Sequence, residues 1–154
     1  MPANAYLIDA NLLLLLVVGT ASVELITKHK RNRTYSADDF RSLKKLLGDS
    51  PQLMVTPHVL TETSNLLCQI DEPARTLLLA TLRLLIGELD ERFVAAREAS
   101  ERREFLALGL TDAALLIVMG ESAQLLTADL DLWAAALKAH LPAINFAHYR
   151  QANL

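Results

Sequence analysis

Short apolar stretches alternate with longer segments of helical periodicity along this chain. Four short runs are typical of buried strands: residues 6–8, 53–55, 124–127 and 143–146. The helical pattern covers 12–18 and continues beyond Gly19, then recurs at 36–47, 56–70, 74–89, 110–120 and 130–140. The charged segment 91–104 is predicted to be a solvated helix. This alternation predicts an α/β fold with a mainly parallel sheet, whose functional crevice lies beyond the carboxyl ends of its strands.

Local signals set several of the predicted helix ends. Ser36 followed three residues later by Asp39 resembles a capping box, and Gly48 is a typical helix terminator. Pro57 suits the first turn of the helix that follows the second strand. Thr111 is the predicted cap of the helix at 110–120.

Composition bounds the class of protein. The chain has 154 residues, of which 52% are hydrophobic and 21% are charged, which fits a single domain over residues 1–154 with a substantial core. Its net charge of -3 gives no global basic field, so a nucleic-acid partner has to be held by a local patch or through metal ions. The apolar run at 12–18 is far shorter than the roughly 20 residues of a membrane-spanning helix. We therefore expect a cytoplasmic protein without a membrane segment.

Asp9 stands inside one of the most apolar stretches, "YLIDANLLLLLVVG". An ionised carboxylate is costly to bury without a partner. Three roles would explain it: capping a backbone turn, pairing with a cation, or binding a metal.

Three further acids fall where a parallel sheet places its crevice: Glu62, Asp112 and Asp129. Carboxylates brought together repel each other by about 1 kcal/mol per close pair in water and about 4 kcal/mol near a protein surface. A cation is therefore expected among them. Hard oxygen ligands without a His or Cys cluster favour Mg²⁺ or Mn²⁺, which are suited to phosphodiester hydrolysis.

Each acid also has a simpler interpretation. Asp9 and Asp129 suit helix caps, Asp112 suits a helix N-terminus, and Glu62 suits a solvated helix surface. Only their joint placement favours a site. Asp131 is a second acid beside Asp129, and the pattern leaves open which of the two reaches the metal.

Four stretches together resemble the PIN domain family, metal-dependent ribonucleases that include VapC-type toxins. They are "LIDANLLL" at 7–14, "TPHVLTETSNLL" at 56–67, "LGLTDAALL" at 108–116 and "LLTADLDL" at 125–132. The resemblance implies a three-layer α/β/α sandwich and one or two divalent ions in an acidic pocket. It also implies cleavage of single-stranded or looped RNA. The segment at 20–50 is longer than in compact members of the family.

The resemblance also assigns the site. The family's acids correspond to Asp9, Glu62, Asp112 and Asp129, with Asn11 and Thr127 orienting waters or neighbouring carboxylates. Asp9 and Asp112 are the first choices as direct ligands of Mg²⁺ or Mn²⁺. The expected partners are an RNA substrate, an antitoxin protein, and a second copy of the chain that covers the apolar helix at 74–90.

Other polar residues near these motifs have open roles. His58 and Asn65 share a helix face with Glu62. His58 is a candidate for substrate contact or metal ligation, or for an exposed first-turn position. Asn65 is a candidate for hydrogen bonding within the site, or for a surface or helix-packing position. The basic run "KHKRNR" at 28–33 is either a phosphate-binding patch or a solvated loop. Trp133 fits the core or an interface better than a base-stacking platform.

Two alternatives to a ribonuclease follow from the same pattern. A catalytically silent PIN-like module would bind RNA or protein without cleavage. A phosphotransfer protein on another α/β scaffold would need a lysine after a late strand, or a second aspartate where Asn11 stands, and neither is present.

Overall fold

Five parallel strands form the centre of the fold. The computed structural model describes residues 5–49, 51–119 and 123–152. The strands are β1 (Ala5–Ile8), β2 (Gln52–Val55), β3 (Asp90–Glu91), β4 (Gln124–Thr127) and β5 (Ala143–Asn145). The helices are α1 (Ala10–Ala21), α2 (Ala37–Leu47), α3 (Pro57–Leu67), α4 (Ala74–Ile86), α5 (Ala96–Ser100), α6 (Phe105–Leu108), α7 (Leu110–Met119), α8 (Leu130–Lys138) and α9 (Phe146–Ala152), with a 3-10 helix at Val23–Leu25.

The strand order is β3-β2-β1-β4-β5, and every described pair is parallel. Helices flank this sheet in a three-layer α/β/α sandwich, which confirms the predicted fold class. The order reverses between β1 and β4, where Ile8 lies opposite Leu126. Chain connections leave in opposite directions at such a point and open a crevice beyond the carboxyl ends of the strands.

Helix α1 supplies much of the core. Its residues from Leu12 to Val18 are all buried, so the helix is apolar on every side and is enclosed by its neighbours. It contacts α2, α3 and α4 as well as β4. Since α1 begins directly after Asp9, this core helix holds the first predicted acid in place.

Local signals predicted several helix ends correctly. The Ser36 hydroxyl accepts from the Asp39 amide at 3.2 Å, and the Asp39 carboxylate accepts from the Ser36 amide at 2.8 Å, forming the predicted capping box. Gly48 ends α2 with a φ of 80°, a backbone conformation that glycine adopts without steric cost. Pro57 opens α3 after the cap residue Thr56, as predicted.

The prediction of one helix over 91–104 was wrong. Asp90 and Glu91 instead form an edge strand that pairs with the end of β2, and the Arg92 amide extends the pairing by donating to the Val55 carbonyl at 2.7 Å. Val94, two residues after Arg92, is buried. Pairing with β2 is a long-range interaction that overrides the helical propensity of the charged residues.

Other boundaries also differ from the predictions. Gly109, with a φ of 88°, precedes α7, and its carbonyl accepts the first helical bond, from Ala113 at 3.1 Å. Thr111 therefore lies inside α7 and is not its cap. Helix α3 ends at Leu67 and not near residue 70, and its last turn is tighter than a regular α-helical turn. The sequence pattern missed α6 and α9.

Helix α4 carries exposed apolar side chains, including Leu77 (45% exposed) and Leu84 (74% exposed). A second copy of the chain over this face stays a prediction. Among the described residues, no helix has the length and apolar character needed to cross a membrane.

Gly19 tests the packing of α1 against α2. A Cβ atom at this position would clash with the ring of Phe40. We expect Gly19→Ala to lower the free energy of unfolding by about 1–3 kcal/mol, the usual cost of overpacking. In a Phe40→Ala background the same change is expected to be neutral or to stabilise by up to about 1 kcal/mol, because alanine is the better helix former. Urea denaturation of the four proteins measures both effects, and equal effects in the two backgrounds would rule out the clash as their cause.

Candidate functional site

The reversal of strand order brings two of the predicted acids together. Asp9 directly follows β1, and its amide donates to the Leu126 carbonyl of β4 at 3.3 Å. Asp129 lies two residues beyond the end of β4. Both therefore lie at the same end of adjacent parallel strands.

Asp9 is buried, with 5% of its surface exposed, and its carboxylate has two partners. The Leu12 amide donates to Oδ1 at 3.3 Å, so the side chain caps α1. The hydroxyl of Thr127 donates to Oδ2. The same hydroxyl oxygen accepts from the Asp129 amide at 2.9 Å. One buried hydroxyl thus links the end of β1 to the end of β4.

Asp129 caps α8. Its Oδ1 accepts from the amides of Asp131 at 2.9 Å and Leu132 at 3.1 Å. The predicted cap and the predicted site position are therefore the same residue. Asp131 is exposed and lines a neighbouring cavity, so Asp129 is the member of this pair that lies in the acidic cleft.

The other two acids come from helices that flank the sheet. Glu62 is exposed on α3, and Asp112 is half-buried in the first turn of α7. The change of chain direction at Gly109 places the first helical turn of α7 beside the ends of the strands. Within the described ranges, Asp112 has no hydrogen-bond or ion-pair partner.

All four carboxylates line one cleft of about 260 Å³. The cleft is lined by Asp9, Ala10, Asn11, Glu62, Leu108, Gly109, Leu110, Thr111, Asp112 and Asp129. This set contains no lysine, arginine or histidine, so no side-chain cation among the described residues faces the acids inside the cleft.

Burial and neighbouring charges raise two pKa values in the cleft. Burial raises the pKa of Asp9 to about 6, against the hydrogen bonds from Thr127 and Leu12 and with smaller contributions from the charges of Asp129 and Glu62. Burial, with smaller contributions from the charges of Asp129, Asp9 and Glu62, raises the pKa of Asp112 to about 7. Strong upward shifts of neighbouring acids in a cleft are typical of functional sites.

The donor set has the chemistry that hard divalent cations prefer. Carboxylate oxygens are the ligands that Mg²⁺ and Mn²⁺ prefer, and each of these oxygens can accept more than one hydrogen bond or ligand contact. In the part of the chain that the structure describes, however, no group of three or more His, Cys, Asp or Glu side chains is arranged so that it could hold a metal ion. Mg²⁺ keeps several waters and uses only one or two carboxylates directly, so fewer than three of these acids would be enough to bind it.

The remaining predicted polar residues lie in different places. Asn11 is exposed at the rim of the cleft, while His58 and Asn65 line an adjacent depression that shares Glu62 with it. The Nδ1 atom of His58 is buried and has no hydrogen-bond partner among the described residues. Trp133 is half-buried, and its ring meets that of His148 edge-on at 5.1 Å.

The basic run does not line the acidic cleft. Lys28 and Lys30 line a separate cavity with Gln69 and Asp71. This placement does not support the alternative in which residues 28–33 bind the substrate phosphates at the site.

Sequence reasoning missed Tyr35, which lies close enough to Asp9 to be affected by its charge. Burial, with a smaller contribution from the charge of Asp9, raises the pKa of Tyr35 to about 12. The guanidinium of Arg150 lies 5.4 Å from the Tyr35 ring centroid and pairs with Asp39, with Nε 2.7 Å from Oδ1. Asp39 was recognisable as a capping residue, but its pairing with the last helix has no local sequence signal.

Comparisons with known proteins identify no family. No protein-family model matches the chain, and no curated protein matches it significantly. Among solved structures, the chain is similar to a domain of a functionally unknown protein from Methanocaldococcus jannaschii DSM 2661. The two are 19% identical over 93% of this chain and 91% of the other, with a TM-score of 0.45.

The raised pKa values predict how stability depends on pH without metal. An acid whose pKa is higher in the folded state contributes stability that is present at low pH and is lost as pH rises through the folded value. For Asp9 and Asp112 this loss extends to about pH 6 and 7 respectively. In chelator at pH 8, we therefore expect Asp112→Asn to raise Tm. Each kcal/mol gained corresponds to about 2–4 °C in a chain of this size.

Thermal unfolding of wild type and Asp112→Asn between pH 5 and 8 measures this effect. Burial lowers the pKa of His29, so this residue makes stability rise with pH up to the usual histidine pKa and opposes the loss caused by the acids. The contribution of His29 is equal in both proteins, so the difference between their Tm values isolates Asp112. The exposed acid Asp49 provides a control, since Asp49→Asn should leave the pH dependence unchanged. A lower Tm for Asp112→Asn at pH 8 would show that its carboxylate is not destabilised by the cleft.

Proposed function

We propose that the protein is a metal-dependent ribonuclease that hydrolyses RNA phosphodiester bonds. The observation that carries this proposal is the cleft itself. Four carboxylates line it at the switch point of a parallel sheet, with no side-chain cation facing them among the described residues. The PIN-like motifs at 7–14, 56–67, 108–116 and 125–132 supply these acids and support the same activity.

The chain's own groups have distinct roles in this proposal. Asp9 and Asp112 hold the divalent ion directly, while Glu62 and Asp129 contribute directly or through water. Thr127 fixes the orientation of Asp9, and Asn11 orients water at the rim. When bound, Mg²⁺ or Mn²⁺ lowers the pKa of an attached water and stabilises the charge that develops on the phosphate and leaving oxygens.

A bound divalent ion would allow the acidic cleft to bind RNA. Ionised carboxylates repel a phosphodiester, and the positive charge of the ion would offset that repulsion where the scissile phosphate has to bind. Burial of Asp9 keeps water from screening its charge, which strengthens its attraction for the ion.

A catalytically silent RNA- or protein-binding module is the second candidate. One observation favours it: among the described residues, no group of three or more His, Cys, Asp or Glu side chains is arranged so that it could hold a metal ion. An antitoxin partner, a homodimer and a cytoplasmic location follow from the sequence interpretation and stay predictions.

Cleavage of labelled single-stranded RNA tests the proposal. With Mg²⁺ or Mn²⁺ we expect cleavage that chelator abolishes, and Asp9→Asn and Asp112→Asn should each lower the rate more than about 100-fold. The reason is that even an outer partner of a metal ligand is worth about 10–100-fold. Asp49→Asn is the matched control and should cleave like wild type. Cleavage by the double variant at the wild-type rate would reveal a contaminating nuclease and reject the mechanism. RNA binding without cleavage by folded, metal-loaded protein would select the silent module.

Thr127 gives a second test of the site, because it acts through Asp9. Thr127→Val keeps the side-chain shape but removes the hydroxyl bonded to Asp9 and to the Asp129 amide. We expect Mn²⁺ affinity to fall about 10–100-fold, with most of it restored in Thr127→Ser. Titration calorimetry with Mn²⁺ measures the affinity, and circular dichroism checks that each variant is folded. Unchanged affinity in Thr127→Val would exclude the positioning role.

A further inference from the structure

The acidic cleft adjoins two other depressions. It shares Leu108 with a larger cavity of about 670 Å³. It shares Glu62 and Thr111 with a depression of about 420 Å³. These three neighbouring depressions are here called the trough, and the one that holds the four carboxylates borders both of the others.

The larger cavity, here called the basic flank, is lined by Arg102, Arg103, Glu104, Ala107, Leu108, Asp131, Ala135, Lys138 and Ala139. Arg102 is committed to an ion pair with Glu104, with Nε 2.9 Å from Oε2. Arg103 and Lys138 are exposed and form no ion pair in the described part of the chain. They outnumber the one remaining acid of this flank, Asp131.

The rest of the basic flank is small and apolar. Alanines at 107, 135 and 139 lie with Leu108 among the charged groups. The faces of nucleobases are flat and apolar, while the backbone that joins them carries one negative charge per nucleotide. Cations close to apolar surface therefore suit an unpaired strand, whose bases are free to leave the stack, better than a duplex, which keeps the faces of its bases inside.

The depression that shares Glu62 and Thr111 with the cleft has a different chemistry. Its polar residues are His58, Thr61, Glu62, Asn65 and Thr111, and it contains neither lysine nor arginine among the described residues. In the described part of the chain, lysine and arginine therefore line the basic flank and neither of the other two depressions. Side-chain cations attract the phosphates of a strand that crosses the trough at this flank.

We infer that single-stranded RNA runs along this trough, with Arg103 and Lys138 binding the phosphates on one side of the scissile bond. The inference rests on the proposed ribonuclease function and adds the path of the substrate. It accounts for RNA binding by a chain whose net charge is -3. The two cations offset the repulsion that the acidic cleft exerts on the incoming strand.

The salt dependence of RNA binding tests the path. Asp112→Asn serves as a slowly cleaving background, in Mg²⁺, with a fluorescein-labelled single-stranded RNA of mixed sequence as the probe. The logarithm of affinity falls with the logarithm of salt concentration by about 0.7 per neutralised phosphate on a single strand. Removing both cations with Arg103→Gln and Lys138→Gln should therefore make the slope shallower by about 1.4.

Matched controls and further probes separate the outcomes. Arg83→Gln with Lys45→Gln removes the same charges from exposed positions outside the trough and should leave the slope unchanged. A duplex of the same sequence should bind more weakly than the single strand. An unchanged slope in the Arg103 and Lys138 variant, an equal change in the control pair, or no binding of single-stranded RNA would overturn the path.

The result is distinguishable from the fate of the proposed function. If wild type cleaves RNA with metal but the flank variant keeps its slope, the path is wrong and the ribonuclease stands. If the slope becomes shallower as expected but wild type does not cleave, the path stands and the catalytic proposal fails.

Discussion

The contact between Thr127 and Asp9 is the constraint on which the candidate site depends. These residues are 118 positions apart in the chain and meet only because β1 and β4 are adjacent at the point where the strand order reverses. The Thr127 hydroxyl has one proton, which it donates to Asp9, and its oxygen accepts from the Asp129 amide. The starts of α1 and α8 are thereby fixed relative to each other.

This arrangement reconciles the roles that the sequence left open for Asp9. Its carboxylate does cap α1, and capping holds the side chain in one orientation at the crevice. Hydrogen bonds from neutral groups stabilise the ionised form but do not cancel its charge, and burial still raises its pKa. Arg150 is paired with Asp39, and it does not line the cleft. The fold therefore orients the acids without neutralising them.

The stretches that the sequence predicted well are those whose cause is local. The Ser36 box, the terminator Gly48 and the strand at 124–127 each depend on neighbouring residues or on a short apolar run. The charged segment after residue 90 could not be predicted in the same way, because its strand forms only by pairing with β2. Gly109 is an intermediate case. A glycine directly before a helical pattern indicates a turn, but it does not indicate which side chains the turn places at the site.

The same distinction applies to the site. The joint placement of the four acids could be predicted because Asp9 and Asp129 follow strands, while Asp112 and Glu62 lie in the first two turns of their helices. A parallel sheet brings such positions to one edge. The surroundings of Tyr35 could not be predicted, since the charge of Asp9 and the guanidinium of Arg150 come near its ring only through tertiary packing.

The turn at Gly109 also explains how opposite charges can work side by side in one trough. Arg103 lies just before α6, and Asp112 lies just after the turn that ends it, so about one helical turn and a glycine separate the flank's cation from the cleft's acid. Had these charges faced each other in one cavity, they would have formed an ion pair and lost their capacity for external ligands. With Leu108 between the two depressions, the acids remain available to a cation and the cations to a polyanion. The positive φ of Gly109 lets the short segment between Arg103 and Asp112 turn sharply enough to keep the two charges apart. A residue with a Cβ atom would adopt this φ only under strain.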